Sequence, residues 1–328
     1  MKDSLENRCE QFIQNRDILR EGFRSAGAAA MFFPFCSMIF TERGIDADCG
    51  LMRESIKLIR ENSRALSGFR GHGLLPMAAM MASSESPARR FEKTVTLYGL
   101  LSGHFHYSES LPLAAMAVAD IVPEGKYIAL VDRAMIIYNS MKESHRLITG
   151  ADDFLPAMML AMSEQSDEVI CRETEATYKM LLTKFKTADA VQSLSHILTM
   201  TAGRAPDKAK RLSDLWDALR EEKCTYPKGY ELPALGVLSL VPANIPTLAE
   251  EVAEVDEFLS RQKGYGFLEL GKSQRRMHAA MLVSAEHIIP TDAAILDEAA
   301  LRMTASLITA QQSIIVTAAA SVIKKITK

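Results

Sequence analysis

Four histidines supply the first candidates for chemistry. His72, His104, His106 and His145 fall in three successive breaks between apolar-periodic segments. Imidazole titrates near neutral pH and ligates metals through either ring nitrogen. In His104-Phe105-His106 an extended backbone would send both rings to one side. If the flanking segments are packed helices about 8–10 Å apart, rings on adjacent connections come within reach of one another. Glu109 or Glu143 would then be a further ligand. Zinc asks for three or four such groups at ~2 Å in a rigid frame, which spacing alone does not guarantee. The same positions also suit helix C-termini, where a histidine or lysine complements the helix dipole. Two readings therefore stand: a histidine edge serving a metal- or small-ligand-dependent enzyme or sensor, and ordinary helix ends.

That edge also carries Arg70, Arg146, Lys184, Lys186, Lys223, Lys228, Arg261 and Lys263, while Glu85, Asp120, Glu124, Glu164, Asp167, Glu168 and Asp207 fall on the opposite connections. One rim would be basic and the other acidic. A basic rim can hold an anionic peptide, nucleotide or nucleic-acid backbone, and an ordinary solvated loop surface reads the same way. The binding candidates are His72, His104, His106, His145, Arg146, Lys184, Lys186, Arg261 and Lys263. Phe69, Phe105, Phe185, Tyr226 and Tyr265 stand among these charges at a spacing that suggests contacts closing a helix end. No residue is assigned to catalysis and no cofactor or metal is expected. The chain has no Gly-x-x-x-x-Gly-Lys-Ser/Thr loop, His-Glu-x-x-His or Gly-x-Ser-x-Gly. The glycine-rich Gly68-Phe69-Arg70-Gly71-His72-Gly73 does not follow a strand pattern and reads as a flexible lead into a helix.

The elements that must position these residues repeat. Leu75-Pro76-Met77-Ala78-Ala79 recurs as Leu111-Pro112-Leu113-Ala114-Ala115, Leu155-Pro156-Ala157-Met158-Met159 and Leu232-Pro233-Ala234-Leu235-Gly236. Val191-Gln192-Ser193-Leu194-Ser195 fills the remaining slot without a proline. After each comes a second segment centred on Tyr98, Tyr138, Tyr178, Trp216 and Phe258, spaced 40, 40, 38 and 42 residues apart. The first segment predicts a short helix capped by Gly73, Ser110 or Asp153, with proline in its first turn, where the missing N–H is no loss. It is apolar nearly all round and should be buried. The second predicts an amphipathic helix, with Phe91, Thr94, Val95, Tyr98 and Leu101 sharing one face. The aligned aromatics fit either a ladder gripping a partner or core between hairpins. Phe33-Pro34-Phe35 with Leu58-Ile59, and Met277 to Met281 with Leu301, extend the series. The expectation is an all-α solenoid of about seven helical hairpins with a period near 40. It forms one continuous domain over 1–328: a capping helix at 1–30, repeats at 31–303 and a terminal helix at 304–328.

The Leu-Pro-x-Ala-Ala grouping, the Tyr-x-x-Leu helix before it and the overall length resemble a bacterial family, domain of unknown function number four thousand and three. The resemblance implies a bacterial, cytoplasmic helical-repeat protein and carries over no activity, substrate or site.

Composition agrees with a helical protein. Of 328 residues 48% are hydrophobic and only 7% aromatic, with 18 Met against 17 Gly and 12 Pro. A net charge of −3 argues against a dedicated nucleic-acid partner. The N-terminus lacks a signal-peptide apolar run, and five scattered cysteines read as free thiols of a reducing cytoplasm. Ser306 to Ile323 is interrupted by polar residues, so a membrane partner is disfavoured, with Lys324, Lys325 and Lys328 leaving a surface contact as the alternative to a buried helix. Function reads as a non-enzymatic scaffold for a protein or peptide partner, by analogy from architecture.

Overall fold

The computed structural model describes residues 1–63, 68–71, 73–104, 110–119, 121–150, 153–266 and 270–287. Among them the fold is all-α, with fourteen α-helices, three short 3-10 turns and no strand. The described residues form two compact units, 10–129 and 1–9 with 130–287. The boundaries fall inside α1 (Asp3–Gly22) and α7 (Tyr127–Ser144). The terminal helix expected over 304–328, and Leu301, lie outside the described residues.

Two kinds of helix alternate from α2 onward. The short ones are α2 (Phe33–Glu42), α4 (Leu74–Ala82), α6 (Leu111–Ala119), α8 (Phe154–Ala161) and α12 (Leu232–Leu240). Ala, Leu and Met are strong helix formers, and a proline in the first turn sets where the helix starts. All nine residues of α6 and eight of the nine in α4 are buried. At their ends Ser83 Oγ donates to Met80 O at 3.1 Å and Ser239 Oγ to Gly236 O at 2.7 Å, satisfying last-turn carbonyls. Where the proline is missing, α10 (Ala188–Thr199) begins about one turn earlier relative to the shared motif and runs to 12 residues. The next place in the alternation is taken by α14 (Lys272–His287), 16 residues long, which buries Met277 to Ala285.

Between them stand longer helices: α3 (Cys49–Asn62), α5 (Pro87–Ser102), α7, α9 (Asp167–Phe185), α11 (Ala205–Glu221) and α13 (Ile245–Ser260). Asp48 and Ser166 cap α3 and α9 by accepting from Leu51 N and Val169 N. Helix α11 buries one stripe, Lys208, Leu212, Leu215, Trp216 and Leu219, at three- and four-residue steps. The stripe of α5 is rotated from the expected one. Arg90, Phe91, Thr94, Leu97 and Leu101 are buried, whereas Val95 is 42% exposed. The cause is Arg90, whose Nη1 reaches back to Met80 O at 2.8 Å and turns that edge of the helix inward.

Within the first unit α2, α4 and α6 pack in succession, as do α3 and α5, and α3 meets α4 as α5 meets α6. Within the second, α8, α10, α12 and α14 pack in succession beside α9, α11 and α13. Arginines brace the turns that follow the short helices. Arg133 of α7 donates to Ala161 O at 2.8 Å, Ser163 O at 2.5 Å and also Gln165 O. Arg211 of α11 donates to Ser239 O, Val241 O and Ala243 O at 2.6–2.7 Å. Both sets sit 28, 30 and 32 residues ahead of the arginine. At the corresponding place in α9 stands Glu173, which instead accepts from Ala205 N at 2.8 Å.

Helices α10 and α12 meet at Gly236, where a Cβ would lie 2.7 Å from Leu194 Cδ1 and 3.3 Å from Ile197 Cγ2. Gly236→Val should destabilise the chain by about 2–3 kcal/mol through overpacking. Gly236→Ala should cost much less, because ~1 kcal/mol of helix propensity offsets a shift of the Leu194 methyl. Urea unfolding midpoints of the two variants check this ordering.

Candidate functional site

The repeating aromatics show where one site arises. Seven residues beyond Tyr98, Tyr178 and Phe258 stand Phe105, Phe185 and Tyr265, but the same step lands on Lys223 from Trp216 and on His145 from Tyr138. Phe185 and Tyr265 are buried, and Phe185 meets Trp216 edge-on at 6.0 Å. His145 keeps that packing role, its ring centroid 4.2 Å from Tyr178. It adds polar chemistry: Nε2 stands 2.7 Å from Glu175 Oε2, an N–H donating to a carboxylate. Lys179 Nζ pairs with the other oxygen, Oε1, at 2.9 Å.

Facing this pair, α10 buries four polar residues, Gln192, Ser195, His196 and Thr199. Gln192 stands in the proline slot, and its Nε2 donates to Thr149 Oγ1 at 2.8 Å. Ser195 Oγ donates to Gln192 O and Thr199 Oγ1 to Ser195 O, so those hydroxyls are met by their own helix. Gln192 Oε1, His196 Nδ1, Thr174 Oγ1 and Thr177 Oγ1 are buried without a partner. Such groups are few in a native protein, and here four belong to two adjoining helices. His145, Thr174, Glu175, Gln192, Ser195 and His196 line a cavity of about 20 Å³. That is room for one water-sized group.

Burial, and then the neighbouring His145, drive the His196 pKa down to about 3, so this ring is neutral at physiological pH. Burial, followed by the Glu175 charge, pushes the Tyr178 phenol up. Neither histidine is hydrogen-bonded to a hydroxyl or thiol among the described residues, so the nucleophile–base contact of acyl transfer is not built there. Among the described residues no three His, Cys, Asp or Glu side chains are placed to hold a metal. The arrangement can hold a small, hydrogen-bonding, uncharged group.

The other candidates are dispersed. His72 and His106 lie outside the described residues, and His104 is exposed at the end of α5, in the other unit from His145. Arg146 is exposed beside His145, Arg261 pairs with Glu257 four residues back, and Lys263 is exposed. Lys184 pairs with Asp217 at 2.8 Å, and Lys186 is exposed in a left-handed turn with φ 64°. Of the aligned aromatics, Tyr138, Tyr178 and Trp216 are buried, which makes them core. Glu175, Gln192 and His196 were missed by sequence reasoning. The signal for them was present: polar residues in a slot where the sister segments carry Pro, Ala and Met.

A histidine held neutral in the fold costs stability in acid. Above about pH 6.5, the ordinary imidazole value, the folded and unfolded rings are both neutral and the contribution of His196 is complete. It is lost as pH falls toward about 3, because only the unfolded ring takes up a proton in that window. The wild type should therefore lose about tenfold in folding constant relative to His196→Gln for each pH unit between about 6 and 4. Parallel pH profiles in urea denaturation would show that His196 is not a buried neutral ring.

No curated protein and no solved structure matches the chain. One family does, over residues 23–313, most of the sequence and both kinds of helix. The chain belongs to the family described as Protein of unknown function (DUF4003).

Proposed function

We propose that the chain is a non-enzymatic helical-repeat scaffold, a solenoid of helical hairpins that presents the edge where its long helices end to an acidic segment of a protein partner. The observation that carries this reading is the bracing of two turns, two periods apart, by Arg133 and Arg211 at identical steps of 28, 30 and 32 residues. Identical long-range bonds two periods apart are what a stack of equivalent hairpins produces. Such stacks leave an extended surface, and here the long-helix ends expose Arg146, Lys186 and Lys228 without an ion pair among the described residues. Leu147, 98% exposed beside Arg146, adds an apolar contact. On the opposite connections Asp167 and Asp207 are already paired with Arg133 and Arg204. No described helix is long and apolar enough to cross a membrane; a bacterial cytoplasm is part of the same proposal.

Charge reversal at Arg146, Lys186 and Lys228 together should abolish capture of the wild-type partner while shifting Tm by no more than ~2 °C, since exposed substitutions rarely exceed ±0.5 kcal/mol. Undiminished capture by the triple variant would sink the edge reading.

A second reading, a small-ligand sensor or enzyme, is favoured by the orphaned atoms around His196 and narrows from four histidines to His145 with His196. Native mass spectrometry of chelator-free protein should then show a surplus mass that disappears in Gln192→Leu. A bare mass under native conditions excludes a tightly held ligand other than water.

A further inference from the structure

Trp216 is the only tryptophan in the chain, and three cations converge on it. Lys228 Nζ lies 4.6 Å, Lys184 Nζ 4.9 Å and Arg220 Cζ 5.1 Å from a ring centroid of the indole. No two of them are then more than about 10 Å apart, a Debye length at 0.1 M salt, so their repulsion is not screened away. The indole face attracts a cation, and the C-terminal dipoles of α9 and α11 favour Lys184 and Arg220, each in a last helical turn. Lys228 stands outside any helix, on the connection from α11 to α12, and is the nearest of the three; its ammonium also reaches Lys184 O, a last-turn carbonyl of α9, at 3.5 Å. Asp217 neutralises Lys184. Arg220 and Lys228 have no carboxylate partner among the described residues. Trp216 is 6% exposed, and its Nε1–H is buried without an acceptor.

We propose that this cradle binds a phosphate group, either free or carried on a small molecule or a phosphorylated side chain. Two uncompensated positive charges match a phosphate dianion, where a carboxylate would leave one unmet. Guanidinium offers two parallel donors to phosphate oxygens, and the lysines act as point charges beside it. Arg220 and Lys228 are both exposed, so an oxyanion reaches them from solvent without opening the fold. This site stands on Trp216 and its neighbours alone and holds whether or not the chain is a peptide scaffold.

The full chain is titrated calorimetrically with inorganic phosphate, with chloride at matched ionic strength as the reference, and with a phosphoserine peptide beside its serine counterpart. Trp216 fluorescence is followed in the same samples and locates the event. The expected result is saturable phosphate or phosphopeptide binding that chloride and the serine peptide do not reproduce. Lys228→Ala and Arg220→Ala should each weaken it about tenfold, the loss of one charge-assisted contact. Binding of phosphate as strong as that of the phosphopeptide assigns the site to free phosphate or a small phosphorylated molecule. Binding of the phosphopeptide alone assigns it to a modified protein segment. The proposal is overturned if neither ligand saturates, if chloride matches phosphate, or if the Arg220→Ala, Lys228→Ala double variant, folded by circular dichroism, binds as the wild type does.

Discussion

A helix that is apolar on every side cannot face water, and this constraint organises the rest of the structure. The short helices α4, α6, α8 and α12 are built mainly of Leu, Ala, Met and Val, and α6 buries each of its nine residues. One such helix of nine residues is also too short to persist alone. It becomes stable only between neighbours of its own kind and a covering layer, which is the role of the long amphipathic helices. The long helices need only one apolar stripe because only one of their faces meets the short row. Small side chains set the spacing: at Gly236 the approach to α10 is closer than a Cβ normally permits.

Covering the short helices leaves the turns between them as the weak points. Each turn releases carbonyls that the helix no longer satisfies, close to an apolar interior. The two arginines answer this, each guanidinium collecting three carbonyls from the turn after the next short helix. A guanidinium has five donors and no acceptor, so it suits a cluster of carbonyls better than any other side chain. Glu173, in the same place on α9, meets the opposite need by accepting the first backbone N–H of α11. These bonds couple neighbouring helices through polar contacts, so the hairpins are not held by apolar contact alone.

Helix type, order and burial were legible because they depend on local pattern. The Leu-Pro pairs mark the starts of α4, α6, α8 and α12, and the 40-residue aromatic period marks the long helices. The rotation of α5 was not legible, since it follows from Arg90 bonding to a carbonyl ten residues earlier, a contact no periodicity encodes. The site was half legible. His145 stood out as a titratable residue, but its partner Glu175 is 30 residues away and reads in sequence as one of many charges on a solvated face. Gln192 and His196 could be found only by treating their departure from the Leu-Pro-x-Ala-Ala pattern as information. Histidines 72, 104 and 106 drew notice for their residue type, and type without a neighbour decides nothing.

Two places on the long-helix ends thus depart from what packing requires, and they differ in what they can admit. The cavity beside His145 is lined by α7, α8, α9 and α10 and has room for about one water molecule. Its orphaned atoms are neutral, because burial holds His196 uncharged. A charged ligand would have to shed its hydration to enter and would find no counter-charge facing His196, apart from a Glu175 already paired with His145 and Lys179. At Trp216 the balance is reversed. Lys228 and Arg220 are exposed, so an anion there would meet two positive groups without a carboxylate partner among the described residues, beside a Lys184 already paired with Asp217. The two places lie at different depths, so the buried one suits a neutral hydrogen-bonding group and the surface one an anion.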